Sequence, residues 1–121
     1  MLKQEGYNLV GAAIEVYNEM KGGLLEEIYQ QCLEEELKLR GIPFESKREL
    51  NVYYKKKKLD KIYVPDLYVY DGIMVELKSV KDLTDDHRAQ LLNYMRLTKI
   101  RIGYLFNFGD LHELKWERFI I

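Results

Sequence analysis

Apolar positions recur at helical spacing through the first forty residues and then change period. Between residues 5 and 20, Leu9, Ala13, Val16, Tyr17 and Met20 return every three or four positions, which predicts an amphipathic helix that Gly22-Gly23 ends. A second stripe, Leu25, Ile28, Tyr29, Cys32, Leu33 and Leu37, predicts a second helix, closed by Gly41 and Pro43. From residue 49 the pattern turns strand-like: segments 49–54 and 59–64 are followed by a hairpin that runs to residue 78. Thr84 suits the N-cap of a third helix through residue 97, and residues 101–108 read as a buried strand stopped by Gly109-Asp110. Residues 116–121 add an edge strand. This α-α-β-β-β-α-β order predicts an α/β fold, a central sheet flanked by helices with the hairpin in its middle.

Within the hairpin, side chains that alternate faces separate chemistry from core. Tyr63, Leu67 and Val69 fall on one face of the first strand and Val64, Asp66 and Tyr68 on the other; in the second strand Ile73, Val75 and Leu77 oppose Met74, Glu76 and Lys78. Asp71-Gly72 marks the turn. A two-residue loop would put Asp66 opposite Leu77 and mix the faces. A three-residue loop, Tyr70-Asp71-Gly72 with Gly72 left-handed, keeps the apolar pattern in register and sets Asp66 opposite Glu76. Two carboxylates facing each other across strands need a cation, a shared proton or a solvent gap. A divalent metal also supplies a function, because Asp66, Glu76 and Lys78 together make the ligand set of a Mg²⁺-dependent phosphodiesterase. The plainer alternative is a surface salt bridge from Lys78 to one of the two acids.

Composition sets the bounds on this reading. The length of 121 residues suits one domain, residues 1–121, and 47% hydrophobic with 32% charged residues is a globular balance. The apolar cluster from Leu9 to Ile14 is short and is interrupted by Glu15, so no signal peptide or membrane span is expected and the location expected is cytoplasmic. A net charge of −1 neither selects nor excludes nucleic acid. The one basic run, Lys55, Lys56, Lys57 and Lys58 with Lys61, reads equally as a solvated hairpin tip and as a phosphate contact. Cys32 reads as a small core residue, and the tyrosines of the strands as sheet packing.

Gly23-Leu-Leu-Glu26-Glu-Ile-Tyr29, the Asp66 to Lys78 hairpin, His87-Arg-Ala-Gln90-Leu-Leu-Asn-Tyr94 and Gly103-Tyr-Leu-Phe-Asn-Phe-Gly109 follow one another in order along the chain. In these blocks the sequence resembles the GxxExxY family, a branch of the PD-(D/E)xK nuclease superfamily. The resemblance implies a restriction-endonuclease-like core with a central mixed sheet. It implies that Asp66, Glu76 and the carbonyl of Leu77 hold Mg²⁺ or Mn²⁺ while Lys78 places the attacking water or stabilises phosphate charge. A helix glutamate in the superfamily often completes the metal shell, which points to Glu26; its other reading is a carboxylate near a helix N-terminus. Gln90 and Tyr94, four apart on one helix face, resemble a motif of RecB-like exonucleases that supports the metal and the phosphate backbone. Tyr94 packing on the sheet is the alternative. His87 reads as an exposed first-turn residue.

Together these readings give a metal-dependent nuclease acting on nucleic acid, DNA favoured, by attack of activated water. The alternative is a catalytically silent nucleic-acid-binding or protein-interaction module on the same fold. A homodimer or a partner subunit would supply the second site that double-strand cleavage needs.

Overall fold

A computed structural model describes residues 1–121. Helix α1, Lys3–Met20, buries Leu9, Val10, Ala12, Ala13, Val16 and Tyr17, the spacing the sequence carries. Helix α2, Glu26–Leu39, buries Tyr29, Leu33 and Leu37 and ends at Gly41, whose positive φ of 68° suits the residue after a helix C-cap. After α3, Asp85–Thr98, Lys99 closes the helix in the left-handed conformation. At the other end of α3 the Thr84 hydroxyl accepts from the His87 amide while His87 Nδ1 accepts from the Thr84 amide. His87 is therefore part of the cap.

Five strands, β1 (Phe44–Ser46), β4 (Leu67–Val69), β5 (Ile73–Lys78), β6 (Ile102–Asn107) and β7 (Lys115–Ile120), form the central sheet in the order β1-β4-β5-β6-β7. Only β5 and β6 are parallel, and α3 connects them. The other neighbours are antiparallel. The sheet is mixed, as expected, with the hairpin strand β5 at its centre.

Alternation along β5 divides the core in two. Ile73, Val75 and Leu77 join Leu67, Val69, Tyr104 and Phe106 under α1 and α2. Met74 packs on the other face with Leu91 and Met95 of α3, Leu105 and Leu50. Glu76 and Lys78 continue that second row toward the open end of the sheet.

Several expectations are corrected. The strand β1 was not visible in the sequence, since three residues are too short for a period to show. The pair β2 (Leu50–Tyr54) and β3 (Lys57–Tyr63) does not join the central sheet; it forms a separate two-stranded sheet, and β2 contacts α3. Its turn is only Lys55-Lys56, so Lys57 and Lys58 lie in β3. The first hairpin strand is also shorter than expected, because Pro65 has no amide to pair and the chain from Val64 to Asp66 leaves strand geometry. In the hairpin turn the left-handed residues are Tyr70 and Asp71 rather than Gly72. The register is nevertheless the expected one, Val69 with Ile73, Tyr68 with Met74 and Leu67 with Val75. Cys32 is free and half-buried against the larger core. No helix is long and apolar enough to cross a membrane.

Candidate active site

The strand β4 stops at Leu67 while β5 runs on to Lys78, so the end of β5 has no neighbour on that side. Asp66 fills the gap. Its Oδ2 accepts from the Leu77 amide at 2.8 Å, and its own amide points at Glu76 Oε1 at 3.3 Å. A strand residue sends its N–H and C=O to the same edge, so the Leu77 carbonyl faces the Asp66 side as well. Beyond it lies a cleft of about 300 Å³ lined by Glu26, Glu27, Gln30, Lys47, Asp66 and Leu77. One register, one prematurely ended strand and one proline thus gather two carboxylates and a carbonyl on one edge.

Two carboxyls share this corner, and burial acts on their charge. The Glu76 carboxyl is pushed up to about 8, first by burial and then by the neighbouring Asp66 carboxylate. A hydrogen bond from the Tyr63 hydroxyl opposes this shift. The phenol of Tyr63 is itself raised, by burial first and by Glu76 next. At neutral pH Glu76 therefore holds a proton for a large part of the time, an arrangement a cation relieves. Asp66 Oδ1 takes the Lys47 ammonium at 2.8 Å, and that hydrogen bond raises the lysine. No ion pair includes Lys78, so the salt bridge offered as its plainer role does not form. Lys78 stands half-buried on the same face of β5 as Glu76.

Residues 3–119 match the family model of the PD-(D/E)XK nuclease superfamily. The chain belongs to that superfamily. The crystal structure of SSO0001 resembles this PD-(D/E)XK chain with a TM-score of 0.61 at 19% identity, over 78% of this chain and 48% of that one. The likeness supports the restriction-endonuclease-like fold, and the chain spans about half the length of that solved structure. No curated protein matches it significantly.

The remaining motif residues of this PD-(D/E)XK chain divide into those at the site and those away from it. Glu26 is the first residue of α2, exposed on the rim of the Asp66 cleft. With no earlier turn of helix to pack over it, it points to solvent. No three His, Cys, Asp or Glu side chains are gathered closely enough to hold a metal by themselves, so Glu26 is not drawn in with Asp66 and Glu76. Tyr94 stacks on Tyr63, with ring centroids 3.7 Å apart and planes at 12°, and so braces the ring whose hydroxyl holds Glu76. Gln90 stays exposed on α3. The turn Lys55-Lys56 lies at the far end of the β2–β3 pair from Tyr63, about 20 Å away at strand rise.

The Gly23 to Tyr29 block has a structural explanation. Tyr29 is fully buried, stacks on Phe108, donates to the Lys21 carbonyl at 2.5 Å and accepts from the Leu24 amide at 3.0 Å. Gly23 has φ of 93°, and its amide reaches the Phe108 carbonyl at 3.0 Å. A Cβ at Gly22 would lie 2.1 Å from the Asp110 carbonyl oxygen. The glycines and the tyrosine fix where α2 starts, and hence where Glu26, Glu27 and Gln30 stand.

Sequence reasoning missed three contacts to the acids. Tyr63 was placed on the apolar face, but the break at Pro65 frees it to meet Glu76. Gln30 donates to the Asp66 carbonyl at 2.8 Å from a spacing of 36 residues, which no local pattern reports. Lys47 was one lysine among many, and only its contact to Asp66 distinguishes it.

Proposed function

We propose that this chain is a divalent-metal-dependent nuclease that hydrolyses phosphodiester bonds of DNA, with residues 1–121 forming one nuclease unit of the GxxExxY branch. The observation that carries the reading is the opposed, partly buried Asp66 and Glu76 beside the free edge of Leu77. The donor set fits a hard cation: Asp66, Glu76 and the Leu77 carbonyl would hold Mg²⁺ or Mn²⁺ through oxygens alone. When bound, such an ion supplies charge neutralisation at the phosphate and acidifies a bound water.

The chain's own residues divide the remaining work. Tyr63, stacked on Tyr94, fixes the Glu76 carboxylate. The Leu77 amide and Gln30 fix Asp66 from two sides. Lys78, free of any ion pair, has three donors for the phosphate oxygens and for the attacking water. The water's oxygen would bond to phosphorus as the P–O bond to the leaving strand breaks, its proton passing to solvent and the leaving oxygen taking one from solvent. No covalent nucleophile is needed. Glu26, on the cleft rim, would support the ion through water, while Gln90 on α3 and, farther off, the turn lysines Lys55 and Lys56 with Lys57 and Lys58 of β3 would meet the nucleic-acid backbone. A second copy or a partner subunit would extend the short platform.

The test is incubation of labelled single- and double-stranded DNA, with RNA in parallel, in Mg²⁺, Mn²⁺ or chelator. Cleavage that needs metal and disappears in Asp66→Asn and Glu76→Gln supports the reading. A second reading, a silent nucleic-acid-binding module, is favoured by Asp66 having both its oxygens engaged by Lys47 and Leu77. Binding of nucleic acid that is the same with chelator, and no cleavage of any substrate, would select it.

A further inference from the structure

Lys47 sits between β1 and β2 with φ of 55°, a left-handed conformation unfavourable for lysine that persists only where its surroundings impose it. Those surroundings are specific. Its amide donates to the Asp66 carbonyl at 3.3 Å. The preceding Ser46 hydroxyl donates to Glu34 at 2.8 Å, and Gln30 joins Glu34 at 2.8 Å to the Asp66 carbonyl at 2.8 Å. The backbone is thus tied to the strand break that presents Asp66. The side chain is not tied: it is 57% exposed, and its only ion pair is the one at 2.8 Å to Asp66 Oδ1.

The ammonium therefore occupies the face of Asp66 that opens into the cleft, beside the Leu77 edge. A cation held by Asp66 through that oxygen and the Lys47 ammonium cannot both use it, because two positive groups at such separations repel strongly. Once displaced, a solvated lysine on a fixed backbone remains at the cleft mouth, within its own length of whatever anion enters.

We propose, resting on the nuclease reading above, that Lys47 is an exchanging residue of the site. It neutralises Asp66 while the metal is absent, gives up that oxygen when metal arrives, and then contacts a phosphate oxygen of the nucleic acid. It would be a second phosphate-binding lysine, supplied by the β1–β2 turn and distinct from Lys78 on β5. The exchange keeps the Asp66 corner neutral in both states and ties backbone capture to metal loading.

The variant Lys47→Met keeps side-chain length and backbone strain and removes the charge. Calorimetric titration of Mg²⁺ into wild type and Lys47→Met, without nucleic acid, is expected to show roughly twofold to fivefold tighter binding in the variant, the effect of removing one competing exposed ion pair. Binding of a phosphorothioate DNA oligonucleotide in Mg²⁺ is expected to weaken about fivefold in the same variant, with its salt dependence reduced by about one phosphate contact. Opposite signs in the two titrations are the signature; a merely structural role would weaken both or neither. Lys47→Arg, which keeps the charge, should restore both toward wild type and so exclude a folding defect. Either quantity unchanged in Lys47→Met, with wild type binding both ligands, overturns the proposal and leaves the nuclease reading standing. If wild type binds neither metal nor DNA, the nuclease reading fails and the proposal with it.

Discussion

Of the four motif blocks in this chain, Gly23 to Tyr29 and Asp66 to Lys78 solve opposite problems. In the first the buried polar groups are matched: the Tyr29 hydroxyl is bonded to Lys21 and Leu24, the Gly23 amide to Phe108, and the only carboxylates, Glu26 and Glu27, face water. In the second, two carboxyls are pressed together and half-buried so that Glu76 holds a proton, and a lysine on the same strand face has no ion pair. A block that satisfies itself is architecture. A block that leaves charge unsatisfied stores the capacity for a ligand, and here the first block positions one wall of the cleft that the second block opens into.

That contrast can be broken most severely at Asp66. Asp66→Ala removes one carboxylate of the pair and the acceptor of the Leu77 amide; metal-dependent cleavage should fall by about a thousandfold or more, since several kcal/mol of charge stabilisation are lost. Fluorescent cleavage assays with matched circular dichroism check it, and a well-folded, active variant would mean that the block is architecture too.

The next effect depends on pH. Glu76 in the folded chain titrates near 8 against 4.5 as its ordinary value, so the folded state binds its proton more tightly than the unfolded one does. The stability of metal-free protein should therefore decline as pH rises from about 4.5 to 8, by about 2–4 kcal/mol. Glu76→Gln should remove most of that decline and make the metal-free protein more stable than wild type at pH 8, by urea unfolding. Equal stability at both ends of the range would show that the acids are not in conflict.

Tyr29→Phe probes the other block. It leaves the Lys21 carbonyl and the Leu24 amide without their partner, which should cost about 1–3 kcal/mol of stability while metal affinity in the folded fraction stays within about twofold. A large loss of metal affinity with no loss of stability would reverse the assignment. The smallest effect is expected at Glu26→Gln: stability unchanged within about 0.5 kcal/mol, because the residue is exposed, and cleavage lowered by less than about tenfold.

Much of this was legible in the sequence, for reasons tied to particular residues. The β5 register followed from the period-two alternation of Ile73, Val75 and Leu77, which permits only one pairing that keeps Leu67 and Val69 on the core side. The α3 cap followed from Thr84. The separate β2–β3 sheet was not legible, because alternation fixes faces and not which sheet a strand joins. Nor was the left-handed Tyr70-Asp71 turn, where the glycine rule pointed to Gly72. Within the site, Asp66 and Glu76 were visible as a local pair. Tyr63, Gln30 and Lys47 reach the acids only through the fold, from residues with no distinguishing local pattern.

On the proposed reading, proton and metal compete for the Asp66–Glu76 pair. Calorimetric titration of Mn²⁺ at pH 7 in two buffers of different ionisation enthalpy measures this directly, because a pair that holds a proton near neutrality must release it to bind a cation. One ion bound per chain, close to one proton released, and loss of both in Asp66→Ala are expected. Absence of binding, or binding that releases no proton and survives in Asp66→Ala, would contradict it.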